Sequence, residues 1–243
     1  MWNRPVVPGF AVVLGLSFSA LLFAQTSPQS AAPSGTGKQA AVAPHDISGK
    51  WMGGNAGGGL HNVGKMPTMS PEAQAKFEAN TAELKDVGGV ITGDPTFRCE
   101  PPGVPHIYNI GAYMIEIAQL PDRVVIFYES LHTFRTIWTD GRESPKEFPI
   151  PLWLGFSVGH WEGNDLVVNT TGFNDSTCLN DKGAPHSDAL HLMERIRPVL
   201  GGQYLEVKMT AADSKTLAKP YTYTRYFKKL DSEVLDDVCQ DEE

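Results

Sequence analysis

Several signatures of common protein classes are missing from this 243-residue sequence. It has neither a glycine-rich dinucleotide loop after a strand nor a haem attachment sequence, so we expect no cofactor. Its cysteines form no C-x-x-C pair and no cysteine–histidine spacing typical of zinc, so we expect no metal site. The net charge is −8, and no basic stripe with interleaved aromatic residues occurs, which excludes a typical nucleic-acid-binding surface. This acidity suits an uncharged or cationic ligand.

The N-terminal segment has a basic residue at Arg4 and an apolar run over residues 12–23 that closes on Ala24. The run is too short to span a bilayer comfortably, and no stop-transfer charges follow it. We therefore predict a secretory signal peptide at residues 1–24, a periplasmic or secreted protein, and no stable membrane insertion after cleavage. An uncleaved membrane anchor is the alternative.

The next segment, residues 25–44, is small, polar and proline-bearing, with too little apolar surface to offset the entropy of ordering. We expect it to be a flexible linker. Residues 45–243 are long enough for one well-packed core and short for two, and they contain no visible internal repeat. They are predicted to form a single β-barrel domain.

The three cysteines are Cys99, Cys178 and Cys239. An exported chain meets an oxidising compartment, so a disulfide is the expected state. Cys99 stands just before two prolines, and Cys239 lies in an acidic C-terminal tail that needs an anchor. We predict a bridge between these two, with Cys178 free. The alternative is that all three are reduced.

One helix is predicted near the N-terminal side of the domain. Ser70 supplies a cap, Pro71 a preset backbone angle and Glu72 an anion in the first turn, so the helix is expected over residues 71–85.

From Tyr113 onward the apolar pattern changes to a period of two, which is typical of strands with one buried face. Short turns, such as those at Asp140-Gly141 and Gly163-Asn164, favour antiparallel neighbours. We therefore predict a mainly β protein, either an antiparallel barrel of lipocalin-like type or a strongly curved sheet. The expected strands cover residues 113–119, 123–129, 134–139, 156–161, 166–171, 189–197, 204–209 and 221–228.

Two resemblances support this interpretation. DISGKWMG, residues 46–53, resembles the Gly-x-Trp opening of lipocalin-like barrels, which implies a barrel that encloses a small apolar ligand. IWTDGR, SVGHWEGNDLVV and GAPHSDAL resemble a family of uncharacterised exported bacterial proteins whose corresponding runs read DGR-x-HP, WEGDTLVV and G-x-PHSD. The likeness covers most of the chain after Asp94 and brings no activity with it. This chain departs from the pattern at Ser144, where a histidine is expected, and at His160, where a different cation usually stands.

Glu194 is the first candidate for chemistry. Strand alternation places it on one face with Leu192 and Ile196, whereas Met193 and Arg195 share the other face. A carboxylate removed from water must be paired, hydrogen-bonded or protonated, and such a group is suited to acid/base catalysis. A structural ion pair with an inward arginine is the equal alternative.

His186 is the second candidate, because it stands in a loop that leads directly into that strand, two residues before Asp188. A histidine oriented by a carboxylate is a reasonable general base. In the alternative, Asp188 or Ser187 caps the loop and His186 packs on it. A metal site that adds His191 is disfavoured, because that side chain projects away from the shared face.

Aromatic and cationic side chains are dense between residues 134 and 161, which fits either a filled barrel or the wall of an apolar pocket. Arg142 is able to clamp a ligand anion or to pair with the adjacent Asp140, and the pair is the default. The expected ligand-binding residues are Arg142, His160, Trp138, Phe156 and Trp161.

Together these features predict a pocket for a small apolar or aromatic molecule. One hypothesis is acid/base chemistry of the isomerase, lyase or hydratase kind, with Glu194, His186 and Asp188 as catalytic residues. A periplasmic carrier that binds without turnover is the alternative, and a cell-envelope interaction protein with a filled barrel is a third possibility.

Overall fold

The computed structural model describes residues 46–53, 64–82, 94–110, 113–235, 237 and 239. The predictions for residues 1–24 and 25–44, and for the end of the helix after Ala82, concern parts of the chain outside these ranges. Within them, no helix combines the length and apolar character needed to cross a membrane.

Nine strands of the described residues close into a barrel in sequence order, from β1 to β9. All strands expected from the alternating pattern are present, with ends shifted by a few residues, and β1 contains the Gly-x-Trp opening. The prediction of a mainly β, lipocalin-like barrel with one helix is confirmed. The strands are β1 Gly49–Met52, β2 Met114–Gln119, β3 Arg123–Tyr128, β4 Thr133–Trp138, β5 Phe156–Glu162, β6 Asp165–Thr171, β7 His191–Val199, β8 Tyr204–Ala212 and β9 Tyr221–Lys229.

The helix, α1, spans Pro71–Ala82 and begins as its sequence predicts. The Ser70 hydroxyl accepts a hydrogen bond from the backbone N–H of Ala73 at 3.2 Å, which satisfies one free donor of the first turn. The Ser70 N–H donates to the carbonyl of Thr216 at 2.8 Å and so ties the helix to the loop after β8. Short 3₁₀ helices cover Pro95–Arg98, His106–Asn109, Ser130–His132 and Leu200–Gly202.

Strand pairing is antiparallel around the barrel except between β4 and β5, which run parallel and pair only at Ile137–Ser157 and Trp138–Val158. Asp140 and Gly141 do follow β4, but the chain continues to residue 155 before β5 begins. A parallel pair requires such a long connection, whereas a tight turn would give a hairpin. We call this short parallel pairing the seam.

The barrel interior is filled by side chains. On β7, Leu192, Glu194 and Ile196 point inward and are at most 1% exposed, whereas Met193 is 49% exposed, as the alternation predicts. A cavity of about 10 Å³, room for roughly one water molecule, remains beside Tyr108 and Tyr128. The largest fully buried apolar side chains include Trp51, Ile126, Ile137, Leu166, Leu192, Ile196, Leu205 and Tyr223.

A C-terminal tail crosses the outside of the barrel and is fixed at several points. The Leu235 N–H donates to the buried Glu129 carboxylate at 3.2 Å, and Cys239 forms the predicted disulfide with Cys99. The bridge closes a loop of 140 residues, for which the chain-entropy model gives a stabilisation of about 5 kcal/mol. Cys178 is free and buried, and burial raises the pKa of its thiol to about 12.

Candidate functional site

The most unusual feature of the interior is an ion pair between Arg135 of β4 and Glu194 of β7. Their side chains are 1% and 0% exposed. The guanidinium Nη1 donates to Oε1 of the carboxylate at 3.0 Å, and Nη2 donates to Oε2. Burial acts to lower the pKa of Arg135, but the charge and hydrogen bonds of Glu194 raise it, and the net pKa lies well above its ordinary value. Glu194 therefore forms the structural ion pair that was the alternative to a catalytic role.

The remaining donors of Arg135 bind three hydroxyl groups. Nε donates to Ser157 at 2.9 Å, Nη1 to Tyr108 at 3.1 Å and Nη2 to Thr170 at 2.7 Å. Ser157 and Thr170 are also hydrogen-bonded to each other at 3.1 Å. Because a guanidinium carries five N–H groups, these bonds and the two to Glu194 satisfy all of them.

This network joins side chains of β4, β5, β6 and β7 near the seam. Arg135 lies two residues before Ile137, whose pairing with Ser157 is the first between β4 and β5. Ser157 also belongs to the Arg135 network. Residues 133–136 pair with β3 on one side, but they have no backbone pairs with β5 on the other side. We infer that side-chain bonds replace the missing ladder in closing the barrel here.

A groove opens on the outer face of the barrel where β4 and the chain before β5 diverge. Its volume is about 390 Å³, which is in the range of small-molecule sites. One side carries the rings of Phe134 and Trp138, the other those of Trp153 and Phe156, and the network residues Arg135 and Ser157 lie at its floor. Pro101, Thr136, Leu152, Leu154 and Gly155 complete the lining.

Trp138 is held beside two arginines at the edge of this groove. The guanidinium carbons of Arg142 and Arg123 lie 3.6 Å and 4.3 Å from the centroid of its ring. Arg142 is paired with Asp140 at 2.6 Å and Arg123 with Asp122 at 2.6 Å. These hydrogen bonds lower the pKa of both carboxyl groups. Arg142 thus forms the default pair that its sequence context predicts.

The predicted trio of Glu194, His186 and Asp188 is not joined by the contacts of the described residues. The His186 ring hydrogen-bonds the Ser187 carbonyl through Nδ1 at 3.0 Å and the Thr177 hydroxyl through Nε2. Asp188 instead forms an exposed pair with Lys215. The expected orientation of His186 by Asp188 is therefore wrong, because the loop turns the carboxylate outward to a surface cation.

His186 itself is buried, at 2% exposure. Burial lowers the pKa of its imidazole. Since a backbone carbonyl can only accept, Nδ1 carries the proton and Nε2 accepts from the Thr177 hydroxyl. The ring is thus a neutral packing element, as the alternative interpretation of this loop proposes.

The expected ligand-binding residues lie on β4, in the turn after it and on both faces of β5. Phe156 and Trp138 do line the groove. His160 shares the outer face, but its ring is 59% exposed and pairs with Glu162 at 3.0 Å. Trp161 points inward and packs partly buried against the core. Phe156 and His160 face outward, the reverse of an arrangement in which the larger residues face the core, because Ser157 and Gly159 occupy the inner positions of β5.

A local reason for this reversal lies in the two inner residues. A Cβ at Gly159 would approach the Ile137 side chain to 3.0 Å and that of Leu166 to 3.2 Å, so a larger residue here would require the neighbouring side chains to shift. Ser157 is required by the Arg135 network. The larger residues Phe156 and Val158 consequently face outward.

Arg135 was not singled out from the sequence as a site residue, although a signal for it exists. It alternates with the buried Ile137 on β4, so the argument that places Glu194 inward also places Arg135 inward. Trp153 lies outside any strand, and alternation gives no information about its direction.

Other candidate sites are a metal centre and two depressions that are larger than the groove. Among the described residues, no group of three or more histidine, cysteine or acidic side chains is arranged to hold a metal ion. Depressions of about 550 and 680 Å³ flank the segment at Met66. They border Gly64, next to residues outside the described ranges, and their walls include the charged Lys65.

Comparisons with known proteins add little to this picture. No protein-family model matches the chain, and no curated protein is similar to it. Among solved structures, the chain is similar to one titled "REP1-NXSQ fatty acid transporter", at 12% identity and a TM-score of 0.36, over 77% of this chain and 98% of that one. A likeness of this size carries no argument about the ligand.

Proposed function

We propose that this protein binds a small, mainly apolar molecule in the groove beside the seam. The observation that supports the proposal is the groove itself, about 390 Å³ in volume with rings on both sides. Its exposed apolar surface includes Phe134, which is 61% exposed on a strand of an otherwise well-packed barrel. Burying such a side chain under a ligand would contribute about 1.5 to 3 kcal/mol.

Binding without turnover is the form of this proposal that the geometry supports. Both oxygens of Glu194 accept hydrogen bonds from Arg135, and the side chain is 0% exposed, so a ligand in the outer groove does not reach it for proton exchange. The imidazole of His186 is engaged at both nitrogens. Acid/base chemistry at these residues would first require both sets of bonds to open.

We also propose that the protein acts outside the cytoplasm. The signal-peptide pattern of residues 1–24 and the disulfide between Cys99 and Cys239 both favour an oxidising compartment. A secreted or periplasmic binding protein for a small hydrophobic ligand is consistent with both.

A titration with the neutral fluorophore N-phenyl-1-naphthylamine tests the site. We expect saturable binding to the purified protein, weakened about tenfold or more by Trp153→Ala, because a groove ring worth roughly 1.4 kcal/mol is lost. Leu200→Ala serves as the matched control, since Leu200 is 61% exposed and lies in the turn between β7 and β8, outside the groove.

Equal binding to the two variants and the unaltered protein would contradict the proposal. A urea unfolding curve for each variant separates a binding defect from a folding defect, because Trp153 is only partly buried and its loss should leave the unfolding midpoint nearly unchanged.

A further inference from the structure

Resting on the proposed function, we infer that the groove selects an uncharged ligand, and that Asp140 and Asp122 determine this specificity by keeping the arginines at its edge occupied. We call Arg123 and Arg142 the rim arginines. The charged groups near the groove already have partners within the protein.

The floor of the groove offers no cation to a ligand anion. Arg135 is the charged residue there, and Glu194 and three hydroxyl groups already accept all five of its N–H groups. Ser157 accepts one of these bonds and shares another with Thr170. A carboxylate that reached the floor would lose its hydration without gaining a hydrogen-bonded partner, which is strongly unfavourable.

The rim arginines are similarly engaged. Arg142 donates from Nε to both oxygens of Asp140, at 2.9 Å and 3.0 Å, and from Nη2 at 2.6 Å. Arg123 donates to the two oxygens of Asp122 at 3.0 Å and 2.6 Å. Each bidentate pair neutralises a guanidinium that would otherwise attract anions to the ring of Trp138.

Asp140 is the more informative of the two carboxylates. Its partner Arg142 lies 3.6 Å from the centroid of the Trp138 ring, and that ring lines the groove. A freed guanidinium at this point would lie against the same Trp138 ring that a bound ligand contacts. The side chain of Asp140 also accepts the Arg142 backbone N–H at 3.2 Å, a turn bond that asparagine can retain. Asp140→Asn therefore removes the charge and keeps the turn.

Two fluorophores with the same ring skeleton allow a direct test. N-phenyl-1-naphthylamine is neutral, and 1-anilinonaphthalene-8-sulfonate adds one sulfonate. We expect the neutral probe to bind the unaltered protein about tenfold more tightly or better, because the Arg135 donors at the floor are all used and the charge of each rim arginine is already compensated by a carboxylate. In Asp140→Asn the sulfonate should bind about threefold to fivefold more tightly, with the neutral probe changed by less than about twofold. Glu206→Gln, which removes a carboxylate paired with Arg197 between β7 and β8, is the control of equal charge change.

The outcomes separate this inference from the proposed function. If both probes bind the unaltered protein equally, or if Asp140→Asn leaves their affinity ratio unchanged, the charge selection is overturned while the groove remains a binding site. If Glu206→Gln raises sulfonate binding as much as Asp140→Asn does, the effect is one of net charge and the inference is also overturned. If Trp153→Ala affects neither probe, the proposed function itself fails.

Discussion

The two sides of this barrel are closed by different means. Between β7 and β8 the backbone register is continuous from His191–Ala212 to Val199–Tyr204, whereas β4 and β5 are paired at only Ile137–Ser157 and Trp138–Val158. The β7–β8 side buries mainly apolar side chains such as Leu205 and Met209. Beside the seam, Arg135 of β4 is instead buried with the Glu194 carboxylate, which reaches across from β7, and with three hydroxyl groups. A sheet that lacks part of its ladder is held here by side-chain hydrogen bonds.

This difference explains why the groove lies at the seam. A complete ladder keeps neighbouring strands about 4.8 Å apart and leaves no room between them. Where β4 and the chain before β5 diverge, the Arg135 network seals the interior but cannot cover the outer side. The rings of Phe134 and Trp153 are left facing a space that a small molecule can fill.

Removing one partner of the buried Arg135–Glu194 pair should lower the stability of the protein more than any other change proposed here. Glu194→Ala should lower the free energy of unfolding by about 3 to 5 kcal/mol, because it leaves the Arg135 guanidinium buried without its counter-charge. Urea unfolding measures the loss. The double variant Arg135→Met with Glu194→Leu should be more stable than Glu194→Ala by roughly 2 kcal/mol or more. If the single variant is as stable as the unaltered protein, the pair does not hold the seam.

Deleting one apolar side chain inside the barrel and one at the groove shows which of the two supports the fold. Leu192→Ala, inside the barrel on β7, should cost about 2 to 5 kcal/mol, because it leaves a cavity in a filled core. Phe134→Ala, exposed at the groove, should change stability by about 0.5 kcal/mol or less while weakening probe binding. A large stability loss in Phe134→Ala would show that the groove rings support the fold instead of a ligand.

The buried His186 should make the stability of the protein depend on pH. Burial lowers the pKa of His186 in the folded protein below the ordinary value of 6.5. As the pH falls below about 6.5 the unfolded chain binds a proton first, so the free energy of unfolding decreases toward the folded-state pKa. Between pH 7.5 and 5.5 we expect the free energy of unfolding to fall, and His186→Gln should remove part of that loss.

His191→Gln is the control for this measurement, because His191 is exposed at the start of β7. The unaltered protein and both variants are compared by urea unfolding at the two pH values. An identical pH dependence in His186→Gln and the unaltered protein would contradict a buried, neutral imidazole. The buried His106, whose pKa burial also lowers, acts in the same direction and remains in every sample.

Much of the fold could be predicted from the sequence, because period-two alternation reports directly on which side chains share a face. This alternation correctly predicted that Glu194 points inward and where the strands lie. Alternation does not report which neighbour a strand pairs with, so the parallel seam was missed. It also does not say which face is the inner one when, as on β5, the larger residues Phe156 and Val158 point outward and Ser157 points inward. The partner of His186 depended on loop contacts that have no periodic signal.

Hydrogen–deuterium exchange with and without N-phenyl-1-naphthylamine tests whether the binding site lies where the ladder between β4 and β5 is incomplete. Without the probe, amides of residues 133–136 should exchange faster than those of residues 207–211 in β8, because the first group has a paired strand on one side only. With the probe, new protection should be confined to residues 133–138 and 152–158 and to the segment around Pro101, which border the groove. Protection elsewhere, or none at the seam, would contradict the claim that this incomplete ladder forms the binding site.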